Sequence, residues 1–138
     1  MRINLFVFGT LRQNLPLHHM YLDAPPGEFT LATAAGTMFS YHNAYPVVDF
    51  EGDGTVVGEI YEVDTDDPYI RRLCDMEVGA GYTIRSITAT PSEGDPITCV
   101  AFHWDRGTRY LDPVPDGDWK EYDRQIERNY ALFTTDRS

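Results

Sequence analysis

Ile3-Asn4-Leu5-Phe6-Val7-Phe8-Gly9-Thr10-Leu11-Arg12 is a short apolar run that stops abruptly at a glycine. A run rich in Phe, Val and Leu is typical of a strand that is buried on both faces. Gly9 has no side chain and can take a positive φ, so a ligand can approach the main chain closely there. A strand that ends in such a turn presents unpaired N–H groups, which suit a carboxylate or a developing oxyanion. The alternative is a central strand followed by an ordinary turn.

Length and composition predict a single folded domain spanning residues 1–138. The chain is 42% hydrophobic and contains nine Tyr, seven Phe and two Trp, which argues against disorder. At this length a chain buries roughly two-thirds of its unfolded surface, enough for a core and a pocket. Cys74 and Cys99 do not make a disulfide framework, and no segment has the character of a signal peptide or a membrane span. We therefore expect a cytoplasmic protein without membrane contacts.

Charge and motif content exclude several classes of ligand. The formal net charge is -11, from 22 acidic and 11 basic residues, and such a surface repels nucleic acid. No phosphate-loop or dinucleotide-binding glycine pattern follows the first strand, so no nucleotide cofactor is expected. His18 and His19 are adjacent, so on a helix they point about 100° apart, and no further ligands stand at metal-binding spacing. We expect a solvated or capping role for this pair and no metal site.

The remaining elements predict a mixed fold. Helices are expected from Pro16, from Pro68, with Asp67 as its cap, and after Asp118, which with Glu121 has the form of a capping box. Asp53-Gly54 is predicted to be a hairpin turn and residues 24–27 another turn. There are too few long helices for a doubly wound sheet. We predict an α+β domain, with a small, mainly antiparallel, barrel-like sheet and flanking helices. Residues 106–117 are predicted to be a loop. The extended segments are predicted at residues 29–41, 45–48, 55–63, 82–90 and 97–104.

Two carboxylates fall on apolar faces of these elements. Alternation along residues 55–63 places Glu59 on the same face as Val57 and Tyr61. A carboxylate on a packed face is either tied by hydrogen bonds or placed at a cavity edge, and we favour the tie for Glu59. Glu77 follows Leu73 by four residues on the helix that begins after Asp67 and is predicted to end at Gly79.

Glu77 is the candidate for proton transfer. The stripe Ile70, Leu73, Cys74 and Glu77 has the spacing of one inward helix face. Desolvation at the end of that face would raise the pKa of Glu77 toward neutrality, as a proton shuttle requires. The alternatives are a solvated Glu77 at a frayed helix end and an ion pair with Arg85.

Five short strings stand in order along most of the chain, beginning at Phe8, Val56, Leu73, Tyr82 and Gly117. Together they resemble the gamma-glutamylcyclotransferase-like (AIG2-like) family. Leu73–Val78 resembles the family's Leu-Asp-x-x-Glu-Gly, with Cys74 in place of Asp and Val78 in place of Gly. Phe8 stands where the family has Tyr, which keeps the ring and loses the hydroxyl. The strings are Phe8-Gly9-Thr10-Leu11-Arg12, Val56-Val57-Gly58-Glu59-Ile60-Tyr61, Leu73-Cys74-Asp75-Met76-Glu77-Val78, Tyr82-Thr83-Ile84-Arg85 and Gly117-Asp118-Trp119.

The resemblance implies an enzyme that releases 5-oxoproline from a gamma-glutamyl amine or amino acid, its small-molecule partner, without a cofactor. The substrate's own α-amine attacks, Glu77 is the general acid and base, and backbone dipoles rather than Arg12 hold an anion. The implied substrate-binding residues are Phe8, Gly9, Thr10, Leu11, Tyr45 and Tyr82. The alternatives are a non-catalytic binding or regulatory module that keeps the fold, and glycoside hydrolysis by Glu59 and Glu77, which needs both carboxylates across one cleft. The leaving amine and the oligomeric state stay open.

Overall fold

The computed structural model describes residues 1–13, 15, 17–22 and 29–135. Within them, strands and helices alternate irregularly along the chain. The predicted helix start at Pro16 and the predicted turn at residues 24–27 lie outside the described residues. The elements are β1 (Arg2–Val7), α1 (His18–Tyr21), β2 (Thr30–Ala35), β3 (Thr37–Tyr41), β4 (Tyr45–Asp49), β5 (Thr55–Asp64), α2 (Pro68–Ala80), β6 (Thr83–Pro91), β7 (Ile97–His103), β8 (Asp112–Pro113) and α3 (Trp119–Thr135).

Five strands close into a barrel in the order β1-β5-β2-β6-β7. All neighbours are antiparallel except β7 and β1, which pair in parallel with Leu5 opposite Val100. A second sheet has the order β4-β3-β8. The predicted α+β fold with a mainly antiparallel barrel is confirmed. No helix in the described part of the chain is long and apolar enough to span a bilayer.

Strand β1 is buried on both faces, as its composition predicts. Phe6 and Phe8 belong to one hydrophobic cluster, while Leu5 and Val7 belong to a second cluster on the other side of the strand. None of the four is more than 7% exposed. Because each side chain contributes roughly 1.5–3 kcal/mol on burial, both clusters anchor this strand and the turn that follows it.

The segment predicted as one extended piece, 29–41, is two strands in different sheets. The chain leaves the barrel at Gly36, whose N–H donates to Gly54 O at 2.9 Å. Strands β3 and β4 then pair with each other outside the barrel. The prediction that Asp53-Gly54 closes a hairpin is therefore wrong, because β4 and β5 do not pair. A turn dipeptide reports that the chain reverses there, and it does not report which strands become neighbours.

Helix α2 begins as predicted and ends two residues later than predicted. Asp67 Oδ1 accepts a hydrogen bond from Tyr69 N at 2.9 Å, which caps the first turn. The helix continues through Gly79 to Ala80 and is capped by Gly81, which has φ 110°. A glycine inside a helix costs about 1 kcal/mol, whereas the left-handed cap requires a residue without Cβ. The second glycine therefore ends the helix.

Helix α3 packs its first residues on the barrel. Trp119 is 2% exposed, and Asp118 Oδ1 accepts from Glu121 N at 3.4 Å, which is one half of the predicted capping box. The predicted loop 106–117 contains the short strand β8, whose Pro113 pairs with Phe39. This pairing covers the free edge of β3.

Candidate active site

A cavity of about 460 Å³ lies where β1 ends, between the start of β4 and the end of α2. Its walls are mainly apolar, with Val7, Met76 and Phe102 among the lining residues. Seven residues singled out from the sequence all line this one cavity: Phe8, Gly9, Thr10, Leu11, Tyr45, Glu77 and Tyr82. The structure therefore brings together the proposed acid and the proposed anion-binding turn.

The turn after β1 offers main-chain donors. Arg12 N donates to Gly9 O at 2.9 Å, which closes a four-residue turn. The N–H groups of Gly9, Thr10 and Leu11 donate to no other described residue. Three consecutive amides beside a cavity, without an acceptor in the described part of the chain, make a candidate anion site by their dipoles alone.

The structure explains Gly9 differently from the sequence. Its φ is not positive. A Cβ on Gly9 would lie 2.6 Å from Pro46 Cγ, so the glycine is required by close packing against β4. Pro46 fills the space where a Cβ would lie, while Gly9 still lines the cavity, so the close approach of a ligand to its main chain stays a prediction.

Glu77 is held at the cavity by its helix. Leu73, one turn earlier, is fully buried, and Tyr82 N donates to Glu77 O at 3.0 Å where the helix ends. The Glu77 side chain forms no hydrogen bond or ion pair with another described residue, and desolvation raises its pKa to about 7. The predicted alternative pairing with Arg85 is not formed; Arg85 Nη1 contacts Glu51 Oε1 at 3.2 Å. Near pH 7, Glu77 is therefore poised between its acid and its base form.

Two tyrosines form part of the cavity wall. The Tyr82 hydroxyl donates to Pro46 O at 3.1 Å, so it is engaged within the protein. Tyr45 stacks on Tyr41 with ring centroids 5.0 Å apart. Burial, with the nearby charge of Glu77, raises the pKa of Tyr82, and burial together with Tyr41 and Glu77 raises that of Tyr45. Both rings therefore stay neutral around the carboxylate.

Glu59 lies outside the cavity lining. It is 1% exposed and accepts hydrogen bonds from Gln13 N and the Tyr61 hydroxyl, both at 2.8 Å. Arg12 Nε, at 3.1 Å, completes an ion pair with it, so the predicted structural tie is confirmed. Glu59 does not share a cleft with Glu77, so the two carboxylates that glycoside hydrolysis needs are not brought together.

His18 behaves differently from the prediction. His18 is 1% exposed, with its Nδ1 3.0 Å from Leu11 O, so the predicted solvated role is wrong for this residue. Its ring also lies against Tyr61, at 5.3 Å between centroids. Within the described ranges no three His, Cys, Asp or Glu residues cluster as metal ligands would.

Some lining residues were missed from the sequence. Pro46 directly follows Tyr45, and Met76 shares the inward face of α2 with Leu73. The local sequence pattern could therefore have indicated both as lining residues. Phe102 had none, because it reaches the cavity only through the parallel pairing of β7 with β1.

Comparisons with known proteins agree on one family. The family described as gamma-glutamyl cyclotransferase, AIG2-like, matches residues 5–121. The Bacillus subtilis protein named "Putative gamma-glutamylcyclotransferase YkqA" is 28% identical over 122 residues, which are 86% of this chain and 41% of that protein. Its crystal structure superposes with a TM-score of 0.71 at 25% identity, over 93% of this chain and 43% of that chain.

Other structures share the fold over most of their length. Pyrococcus horikoshii PH0828 gives a TM-score of 0.62 at 24% identity, covering 93% of this chain and 97% of that one. A mouse AIG2-like protein gives 0.60 at 23% identity, covering 83% and 86%. The chain thus spans less than half of the Bacillus relative and nearly the whole of these smaller proteins.

Proposed function

The chain belongs to the gamma-glutamyl cyclotransferase, AIG2-like family, and from this premise we propose that it catalyses gamma-glutamyl cyclotransfer. In this reaction the α-amine of a gamma-glutamyl amide attacks the substrate's own γ-carbonyl carbon. A five-membered lactam, 5-oxoproline, forms as the bond from that carbon to the departing amine breaks. The observation that carries the proposal is the Glu77 carboxylate, with a pKa of about 7, in the same cavity as three backbone amides that have no acceptor among the described residues.

Glu77 is proposed to move one proton. At pH 7 an α-amine, with a pKa of roughly 8, is mostly protonated and cannot attack. Ionised Glu77 takes one proton from the ammonium group, and the same carboxyl group then protonates the departing amine nitrogen. The attacking nitrogen loses a second proton as the lactam forms, and the departing amine takes up that proton and leaves as an ammonium ion. A pKa of about 7 suits both directions, because it lies near that of the amine and near neutral pH. Nucleophile and electrophile are tethered in one molecule, so the site mainly has to fix a folded conformer.

The turn at Gly9–Leu11 is proposed to hold the substrate's carboxylate or the developing oxyanion. No Lys or Arg lines the cavity among the described residues, so backbone dipoles supply the positive potential there. Arg12 is occupied by Glu59 and by Asp118, whose Oδ1 lies 2.9 Å from Nη1. Arg12 is therefore not the counter-ion of the anion in this proposal.

The cavity walls indicate the class of departing amine. An amino acid as leaving group carries a carboxylate on the carbon next to the scissile nitrogen. Glu77 must come within about 3 Å of that nitrogen, so the two carboxylates would repel at short range in an apolar cavity. Met76, Tyr82 and Phe102 instead suit an apolar group. We therefore propose gamma-glutamyl amides of apolar amines as preferred substrates over gamma-glutamyl amino acids.

The test uses two substrates that differ by one carboxylate, gamma-glutamylphenethylamide and gamma-glutamylphenylalanine. We expect 5-oxoproline from the amide, measured by liquid chromatography with mass spectrometry, and at least a tenfold lower kcat/KM for the amino acid. Glu77→Gln should lower kcat by about 10²–10⁴-fold. Glu93→Gln, an exposed residue in the turn between β6 and β7, is the matched control and should act like the wild type.

The outcomes separate the hypotheses. No 5-oxoproline from a broad gamma-glutamyl panel would favour the non-catalytic binding module. Turnover with a preference for gamma-glutamylphenylalanine would keep the reaction and remove the proposed substrate class. Equal rates for the wild type and Glu77→Gln would remove Glu77 from the mechanism.

A further inference from the structure

Beneath the turn at Gly9–Leu11 lies a buried carboxylate that accepts from four donors. Glu59 Oε1 accepts from Gln13 N and the Tyr61 hydroxyl, and Oε2 accepts from Arg12 Nε and from Lys120 Nζ at 3.4 Å. Two of these donors belong to consecutive residues that directly follow the turn. Glu59 therefore ties the turn to the middle of strand β5.

Glu59 contacts both ends of the turn, through strand pairing at one end and through its carboxylate at the other. On one side, Val7 pairs with Glu59 as the last residue of β1, so the strand enters the turn directly beside this carboxylate. On the other side, Gln13 N is bound by Glu59 Oε1, while Arg12 N closes the turn on Gly9 O. Between these anchors lie the amides of Gly9, Thr10 and Leu11, which have no acceptor among the described residues, and the anchors fix the course of this segment.

An ionised carboxylate suits these contacts better than an amide. A carboxylate is acceptor-only, and its two oxygens together offer about four lone-pair sites. A Gln side chain would place an NH₂ group against either Gln13 N and Tyr61 or Arg12 and Lys120, which are also donors. Burial acts to raise the pKa of Glu59, but the hydrogen bonds from Gln13, Tyr61 and Arg12 outweigh it and hold the pKa below its usual value. The group thus stays ionised at neutral pH.

We propose that Glu59 is a positioning residue for the anion-binding turn: through Arg12 and Gln13 it aims the amides of Gly9–Leu11 into the cavity without touching the substrate. The proposal rests on the proposed function for the role of the turn. Arg12 also reaches Asp118, the cap of α3, so the start of that helix shares in fixing the turn. A residue that only stabilises the fold would leave the direction of these amides unchanged.

The experiment compares Glu59→Gln with Val56→Ala. Val56 lies on the same strand, is 0% exposed and does not line the cavity, so its truncation weakens the core without removing a hydrogen bond to the turn. The first readout is the backbone ¹H–¹⁵N spectrum of the free proteins. We expect the Gly9, Thr10 and Leu11 amide signals to shift in Glu59→Gln and to stay in place in Val56→Ala. This readout needs no substrate.

The second readout is turnover of gamma-glutamylphenethylamide by the folded variants. We expect kcat/KM to fall at least tenfold in Glu59→Gln and less than twofold in Val56→Ala. A rise in KM would assign the turn to the substrate carboxylate, and a fall in kcat would assign it to the oxyanion. If Glu59→Gln does not fold, Tyr61→Phe is the second variant, because it removes the donor that shares Oε1 with Gln13. In Tyr61→Phe the amide signals of Gly9, Thr10 and Leu11 should shift and kcat/KM should fall.

Unshifted turn amides in the folded Glu59 or Tyr61 variant would overturn the proposal, whatever the activity. Equal losses of kcat/KM in Glu59→Gln and Val56→Ala would also overturn it, because the loss would then follow stability alone. Shifted amides together with an inactive wild type would refute the proposed reaction and leave the positioning of the turn standing.

Discussion

Replacing Glu77 with Gln should make the protein more stable above neutral pH. The folded protein holds this carboxyl at a pKa of about 7 against an ordinary value of 4.5, because burial disfavours the ionised form. Unfolding restores the ordinary value. The stability associated with protonated Glu77 is therefore present below pH 4.5 and is lost as the pH rises to about 7. Gln has no such titration, so the variant keeps its stability through this window.

The size of the effect follows from the shift. A pKa difference of about 2.5 at 1.36 kcal/mol for each unit corresponds to about 3 kcal/mol at full burial. Glu77 is partly exposed to the cavity, and solvent screening reduces this to about 2 kcal/mol. For a domain of this length, each kcal/mol moves the melting temperature by about 3 °C. We expect Glu77→Gln to melt about 6 °C above the wild type at pH 8.5.

The assay is thermal unfolding followed by circular dichroism at pH 5.0 and pH 8.5. The lower value stays above the isoelectric point of about 4.5, where solubility is lowest. The difference in melting temperature between variant and wild type should shrink by more than half at pH 5.0. Glu93→Gln removes an equal charge from an exposed site, and it corrects for the general repulsion in a protein of net charge -11. A gap between Glu77→Gln and the wild type that is the same at both pH values would refute the reasoning, since a buried ionisation cannot produce it.

Three further outcomes follow from the site. The kcat/KM of the wild type should rise as the pH passes about 7, where Glu77 ionises, and should fall above roughly pH 8, where the substrate α-ammonium is lost; a flat profile would exclude Glu77 as the base. Gly9→Ala places a Cβ against Pro46, so it should lower the free energy of unfolding by about 1–3 kcal/mol in urea titrations and raise KM. A variant as stable as the wild type would contradict the packing role of Gly9. Tyr82→Phe leaves Pro46 O without its hydroxyl donor, so it should lower the free energy of unfolding by about 1 kcal/mol and change kcat less than threefold. A large loss of kcat would show that the Tyr82 hydroxyl takes part in the chemistry.

Local pattern predicted those features that depend on one element. The both-face burial of β1, the tie of Glu59 and the inward direction of Glu77 each follow from periodicity within a single strand or helix. The bend at Gly36 did not, because small residues permit a bend without requiring one. The same holds for Phe102, which reaches the cavity through a pairing between strands that are distant in the chain.

The position of Glu77 within its helix has a consequence of its own. Helix α2 ends at Ala80, so this acid stands in the last turn, where the aligned peptide dipoles leave a partial negative charge. That field opposes ionisation by about 0.3–1 kcal/mol, in the same direction as burial. It originates in the backbone and not in the surrounding side chains. Substitutions that reshape the apolar walls for another amine would therefore leave part of the proton affinity of this acid in place.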